Sequence, residues 1–113
     1  MDNKEFALLA AKTLSDKKAV DITAIDIAEK ASFADYLVIA TGNSERQVNS
    51  LVDDVEDAFA KEELFVKNIE GKNSGWVLMD FGDIIVNIFT KELREKYGIE
   101  KVWGDCSFLE IEE

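Results

Sequence analysis

Three stretches of this chain carry residue types that could do chemistry. Thr41-Gly42-Asn43-Ser44 separates an apolar run from a helical pattern, and the free backbone amides at such a helix start can hold a phosphate or a carboxylate. The stretch has neither the lysine of a phosphate-binding loop nor most of its glycines. The plainer reading is that Gly42 permits the turn while Ser44 caps the helix that follows. Asp80-Phe81-Gly82 spells the metal-binding triplet of protein kinases, yet a chain of 113 residues is far too short for a kinase and has no glycine-rich loop. Gly82 is read instead as the bend of a hairpin. Asp21, Asp26 and Asp35 fall near the ends of strand-like segments, where carboxylates could gather round a metal ion for nucleotidyl transfer. Spacing alone does not bring them together, and acids at strand ends are ordinarily solvated.

What is missing narrows the chemistry further. The chain has no histidine and a single cysteine, Cys106. Serine-histidine catalysis is excluded and the commonest general base is gone. Zinc would have to rely on Cys106 and carboxylates, a poor structural ligand set, so no metal or other cofactor is expected. One thiol cannot form an intrachain disulfide and fits a reducing compartment. The run Asp53-Asp54-Val55-Glu56-Asp57 reads as the wet side of an amphipathic helix that contributes to long-range steering. Trp76 and Trp103 are each either core or interface anchors. The acids near them, Asp80, Asp83 and Asp105, tilt the balance towards an interface with a basic partner.

The elements that must position these residues fit one domain. Length excludes a second, and 47% hydrophobic residues suffice for a single core. A formal charge of −11 repels phosphate backbones and anionic lipid alike and favours a basic protein partner. The N-terminus is acidic where a signal peptide needs a basic region, no window approaches a membrane span, and the expected location is the cytosol.

Ala7, Ala10, Ala11 and Leu14 recur at helical spacing behind an Asp2/Glu5 capping pattern, predicting a helix over Lys4–Leu14. Val20–Ile27 is rich in β-branched residues and reads as a strand. Tyr36–Thr41 is an apolar run too short for a helix and predicts a strand buried on both faces at the sheet centre. Ser44 and Gln47 open the clearest helix, with Val48, Leu51, Val52, Val55 and Phe59 on its apolar side. Leu64–Ile69 is a strand candidate. Trp76–Asp80 and Ile84–Phe89 form a hairpin through Phe81-Gly82-Asp83. Thr90–Tyr97 is a short helix stopped by Gly98. The predicted fold class is α/β, a mixed sheet of about five strands with helices packed on it. The domain is expected to span residues 1–106, with a short acidic tail over 107–113.

Three blocks also carry a family resemblance. Ala34-Asp35-Tyr36-Leu37-Val38-Ile39-Ala40-Thr41-Gly42-Asn43-Ser44, then Gly75-Trp76-Val77-Leu78-Met79-Asp80-Phe81-Gly82-Asp83, then Tyr97 with Trp103-Gly104-Asp105 resemble the ribosomal silencing factor (RsfS) family, also called iojap-like. The resemblance runs from the first helix to Asp105. It implies a nucleotidyltransferase-like topology without the catalytic residues, a homodimer when free, and no enzymatic reaction. It implies binding to a basic protein of the large ribosomal subunit, the fourteenth in the standard naming, at the face that meets the small subunit, so that subunit joining is blocked and translation repressed. Carried over residue by residue, the partner-binding region falls on Trp76, Val77, Leu78, Asp80, Phe81 and Asp83, with Tyr97 and Trp103 nearby.

Two positions depart from the family pattern. Arg46-Gln47 stands where arginine-histidine is usual, and Asn87 replaces a histidine common in the last strand. Any catalytic or pH-sensing role of those histidines is absent here, while Gln47 preserves a helix cap and Asn87 a hydrogen-bonding group. A competing reading makes the chain a degenerate nucleotide-binding or nucleotidyl-transfer protein using the Thr41–Ser44 turn. It leaves the hairpin block unexplained.

Overall fold

The computed structural model describes residues 1–111. Helix α1 (Asn3–Asp16) starts with a complete capping box: the Asp2 carboxylate accepts the Glu5 N–H at 2.8 Å and the Glu5 carboxylate accepts the Asp2 N–H at 3.1 Å. Strands β1 (Val20–Asp26) and β2 (Tyr36–Gly42) follow, and β2 is buried at every position after Tyr36, as a run covered on both faces must be. Ser44 caps α2 (Glu45–Lys61), its Oγ accepting the Gln47 N–H at 3.1 Å. The Gln47 side chain reaches back to the Asn43 N–H, one residue before the position a regular capping box uses.

The strand expected at Leu64–Ile69 is displaced to β3 (Asn68–Glu70). Leu64 is tied to the end of α2, its N–H donating to the Phe59 carbonyl at 3.0 Å, and Leu64 and Val66 cover the core as loop residues. Only from Asn68, opposite Asp80, is a ladder partner in register. Strands β4 (Trp76–Asp80) and β5 (Ile84–Thr90) form the expected hairpin. The Phe81 N–H donates to the Ile84 carbonyl at 3.0 Å, and Gly82 takes φ of 95°, a left-handed bend that disfavours any side chain. Helix α3 (Lys91–Tyr97) ends at left-handed Gly98, and a 3₁₀ turn spans Ile99–Trp103.

Residues past 106 extend the sheet, which amends the expectation of a plain tail. Ser107 and Phe108 form β6 against Asp26 and Ile25, and the Leu109 N–H donates to the Ala24 carbonyl at 2.8 Å. Leu109 and Ile111 pack on the core, whereas Glu112 and Glu113 lie outside the described residues. The sheet therefore has six strands in the order β3-β4-β5-β2-β1-β6, with β2 and β5 parallel at its centre and the remaining neighbours antiparallel.

The two faces of this sheet are covered unequally. Helices α1 and α2 lie on one face and enclose the larger core, in which Phe59 touches Phe6 and Phe81 at ring separations of 5.2 and 4.4 Å. The opposite face carries Ile25, Leu37, Ile39, Ile85 and Phe89, covered by short α3, the 3₁₀ turn and the residues before Ala34. Among the described residues no helix is long and apolar enough to cross a membrane.

Candidate functional site

Strand alternation sorts the hairpin residues between these faces. Trp76 and Leu78 point to the thinly covered face, while Val77 and Met79 point into the α1/α2 core and are fully buried. Trp76 pairs across the ladder with Phe89, and Leu78 with Asn87. The Trp76 indole stacks on Phe89 at 4.9 Å and 22° and meets Tyr97 of α3 at 4.9 Å and 39°, both within the range of favourable aromatic geometry. Its Nε1–H donates to Asn87 Oδ1 at 2.9 Å.

Leu93 stands four residues before Tyr97, so both project from one side of α3 towards the strand. Together Trp76, Leu78, Leu93 and Tyr97 line a mostly apolar groove of about 470 Å³, with Glu70, Gly71 and Ser74 completing its lining. Gly71 is required there, because at φ of 88° a Cβ would sit 2.1 Å from the Trp76 carbonyl oxygen. Tyr97 remains 49% exposed. An aromatic and aliphatic surface of this kind, with the acidic Glu70 in its lining, is suited to receive an apolar anchor or a basic side chain of another protein.

Helix α3 buries no residue of its own and is held by its arginine. The Arg94 guanidinium donates to the Asp21 carbonyl and to Thr41 Oγ1, the latter at 3.0 Å, and its Nε lies 3.4 Å from Glu100 Oε1. This side chain is only 11% exposed. It spans a polar cleft of about 570 Å³ at the ends of β1 and β2, where Asp21 adopts a left-handed φ of 50° beside an irregularity in the β1–β2 ladder.

The remaining candidates distribute as follows. Val77 and Phe81, both carried over as contact residues, are core residues with 0% and 2% exposure, so in the free chain they support the hairpin from below and present no side-chain surface. Asp80 turns inward along the hairpin, its Oδ1 accepting the Gly82 N–H at 2.8 Å. Asp83 is exposed, while its carbonyl accepts the Asp35 and Tyr36 N–H groups. Trp103 sits apart from Trp76, edge-on to Phe33 at 6.1 Å with the Lys30 ammonium 5.8 Å from its ring centroid. Lys30 also donates to the Val102 carbonyl and to Asp105 Oδ1, each at 2.9 Å. This hydrogen bond holds the Asp105 carboxyl below its ordinary value and raises Lys30 above its own.

The chemistry-bearing stretches take local roles. Asp26 caps the following turn through the Ala28 N–H, and Asp35 accepts from the Asn3 side chain at 3.0 Å. Asp21 faces the Arg94 cleft. The described residues contain no cluster of three or more potential metal ligands. Sequence reasoning missed Leu93 as part of the groove, and Asn87 and Phe89 as the buried residues on which Trp76 rests. The i,i+4 spacing of Leu93 and Tyr97, and the alternation that places residues 76 and 78 on one face of β4, were the available signals.

Comparison with known proteins agrees with the three sequence blocks. Residues 1–113 match the family model described as ribosomal silencing factor during starvation. A Bacillus subtilis protein, ribosomal silencing factor RsfS, is 36% identical over 113 residues, covering 99% of this chain and 96% of its own. A mouse protein named mitochondrial assembly of ribosomal large subunit protein 1 is 32% identical over 100 residues, covering 84% of this chain and 43% of the longer mouse sequence. A Chromobacterium violaceum protein of known crystal structure superposes with a TM-score of 0.88 at 33% identity, covering 92% of this chain and 88% of that one.

Proposed function

Because this chain belongs to the ribosomal silencing factor family, we propose that it acts by occupying a surface of the large ribosomal subunit and so blocks association with the small subunit. The partner is a basic protein of the large subunit. Its contact is the groove of Trp76, Leu78, Leu93 and Tyr97, with Asp83 exposed at the tip of the same hairpin. The observation that carries this reading is the groove itself: two aromatic and two aliphatic side chains left partly open on a chain of net charge −11. Apolar side chains supply contact area, and the acidic field steers a basic partner and excludes nucleic acid. The name of the mouse relative, which refers to assembly of the ribosomal large subunit, supports the large subunit as the target.

Nothing in this mechanism needs a reaction or a cofactor: repression is competition for a surface, in the cytosol. The free protein is a homodimer in this reading. The test is sedimentation with purified large subunits at low salt. The native chain is expected to travel with the subunit and to inhibit joining, and Trp76→Ala to remain folded by circular dichroism without co-sedimenting. A native chain that stays at the top of the gradient ends the proposal. The competing nucleotide-binding reading is then tested by thermal shift with nucleotides and magnesium, where a ligand at a hundred times its Kd stabilises by about 2.7 kcal/mol.

A further inference from the structure

Building on that docking surface, we propose that Asn87 is a positioning residue that fixes the Trp76 indole and keeps the groove preformed. Strand β5 is otherwise apolar from Ile84 to Phe89, and Asn87 lies in its middle with 2% exposure. Thr41 and Asn87 are the buried polar residues among the described part of the chain, and Thr41 is engaged by Arg94. A buried amide is costly unless hydrogen-bonded, and here the bond is spent on one partner, the Trp76 Nε1–H at 2.9 Å.

The two aromatic neighbours cannot do this work alone. Phe89 and Tyr97 set the plane of the indole, but stacking tolerates a ring turned over within that plane, because both of its faces are alike to a phenyl or phenol neighbour. A directional N–H···O bond is satisfied by one of those orientations. Ladder register supplies the geometry: Leu78 lies directly opposite Asn87, and Trp76 is its diagonal neighbour on the same face, within reach of a long side chain. Asn87 therefore decides which edge of the indole lines the groove, and the side chain is ordered before any partner arrives.

The experiment uses Asn87→Leu, similar in size and lacking the acceptor. With Trp103→Phe leaving a single indole, solvent exchange of the Trp76 indole proton is followed by NMR in the free protein. Slow exchange is expected with Asn87 and at least about tenfold faster exchange without it, as the hydrogen bond is lost. Affinity for large subunits is expected to fall about three- to tenfold, the cost of ordering one side chain on binding. In Trp76→Phe, which has no indole proton, Asn87→Leu is expected to cause no further loss. Fast indole exchange in the native chain, or an equal loss of affinity in the Trp76→Phe background, overturns the proposal. Asn87→Thr, whose hydroxyl is a bond too short to reach the indole, serves if the leucine variant does not fold. If the native chain fails to bind subunits, the docking reading falls, and indole exchange still decides the role of Asn87.

Discussion

The two faces of the sheet are built from similar strands and serve different ends. Under α1 and α2, the apolar residues of five strands and two helices close over one another, and Phe59 is enclosed by Phe6 and Phe81. Across the sheet, α3 has seven residues, none buried, and is held by one arginine and one leucine. Burial on the first face stabilises the fold. Incomplete cover on the second leaves Trp76, Leu78, Leu93 and Tyr97 partly open in a groove able to meet another surface.

If that division is right, substitutions on the two faces should separate stability from binding. Phe59→Ala removes a fully buried ring and is expected to cost about 3–5 kcal/mol in urea unfolding. Arg94→Met should come next, at about 2–3 kcal/mol, because it strips the Asp21 carbonyl and Thr41 Oγ1 of their donor and leaves the Glu100 carboxylate without its cation. The double change Arg94→Met with Glu100→Gln should recover part of that loss, and an additive double variant would show that the pair is not coupled. Tyr97→Ala is expected to change stability by under about 1 kcal/mol while weakening subunit binding about tenfold or more. A stability loss as large as that of Phe59→Ala would erase the distinction between the faces.

The smallest effect is a pH dependence at Lys30 and Asp105. Asp105 is depressed by its hydrogen bond from Lys30, so its contribution is present above the ordinary carboxylate range and is lost as pH falls through the lowered value. Lys30 is raised, chiefly by the same bond, so its contribution is present below the ordinary lysine value and is lost as pH rises through the elevated one. Both ends are solvent-exposed. The expected outcome is a modest change in Trp103 fluorescence below about pH 4 that Asp105→Asn abolishes, and an unchanged titration in that variant would assign the change elsewhere.

Much of this fold is legible in the sequence where the cause is local. The Asp2/Glu5 box, the Ser44 cap, the two-sided burial of β2 and the Gly82 bend each follow from neighbouring residues. What escaped is set by distant partners. The length of β3 depends on where β4 ends, and the two residues of β6 are a strand because β1 offers them an edge. The site follows the same rule. Trp76, Leu78 and Tyr97 can be picked from the blocks, whereas the placement of Val77 needed the strand period, that of Leu93 the helical spacing to Tyr97, and that of Asn87 the register.

The parallel pairing of β2 with β5 has a consequence for how the chain is made. Tyr36 lies opposite Ile84, so the central strand leaves the ribosome with one neighbour in hand and the other about 48 residues away, roughly 2–10 s of synthesis. Through that interval β1 and β2 can pair and α1 can lie on them, but the sheet has an open apolar edge at what will become its middle. Closure is thus a late event of translation, and a nascent chain paused before Ile84 is a sticky intermediate whose fate depends on the resumption of elongation.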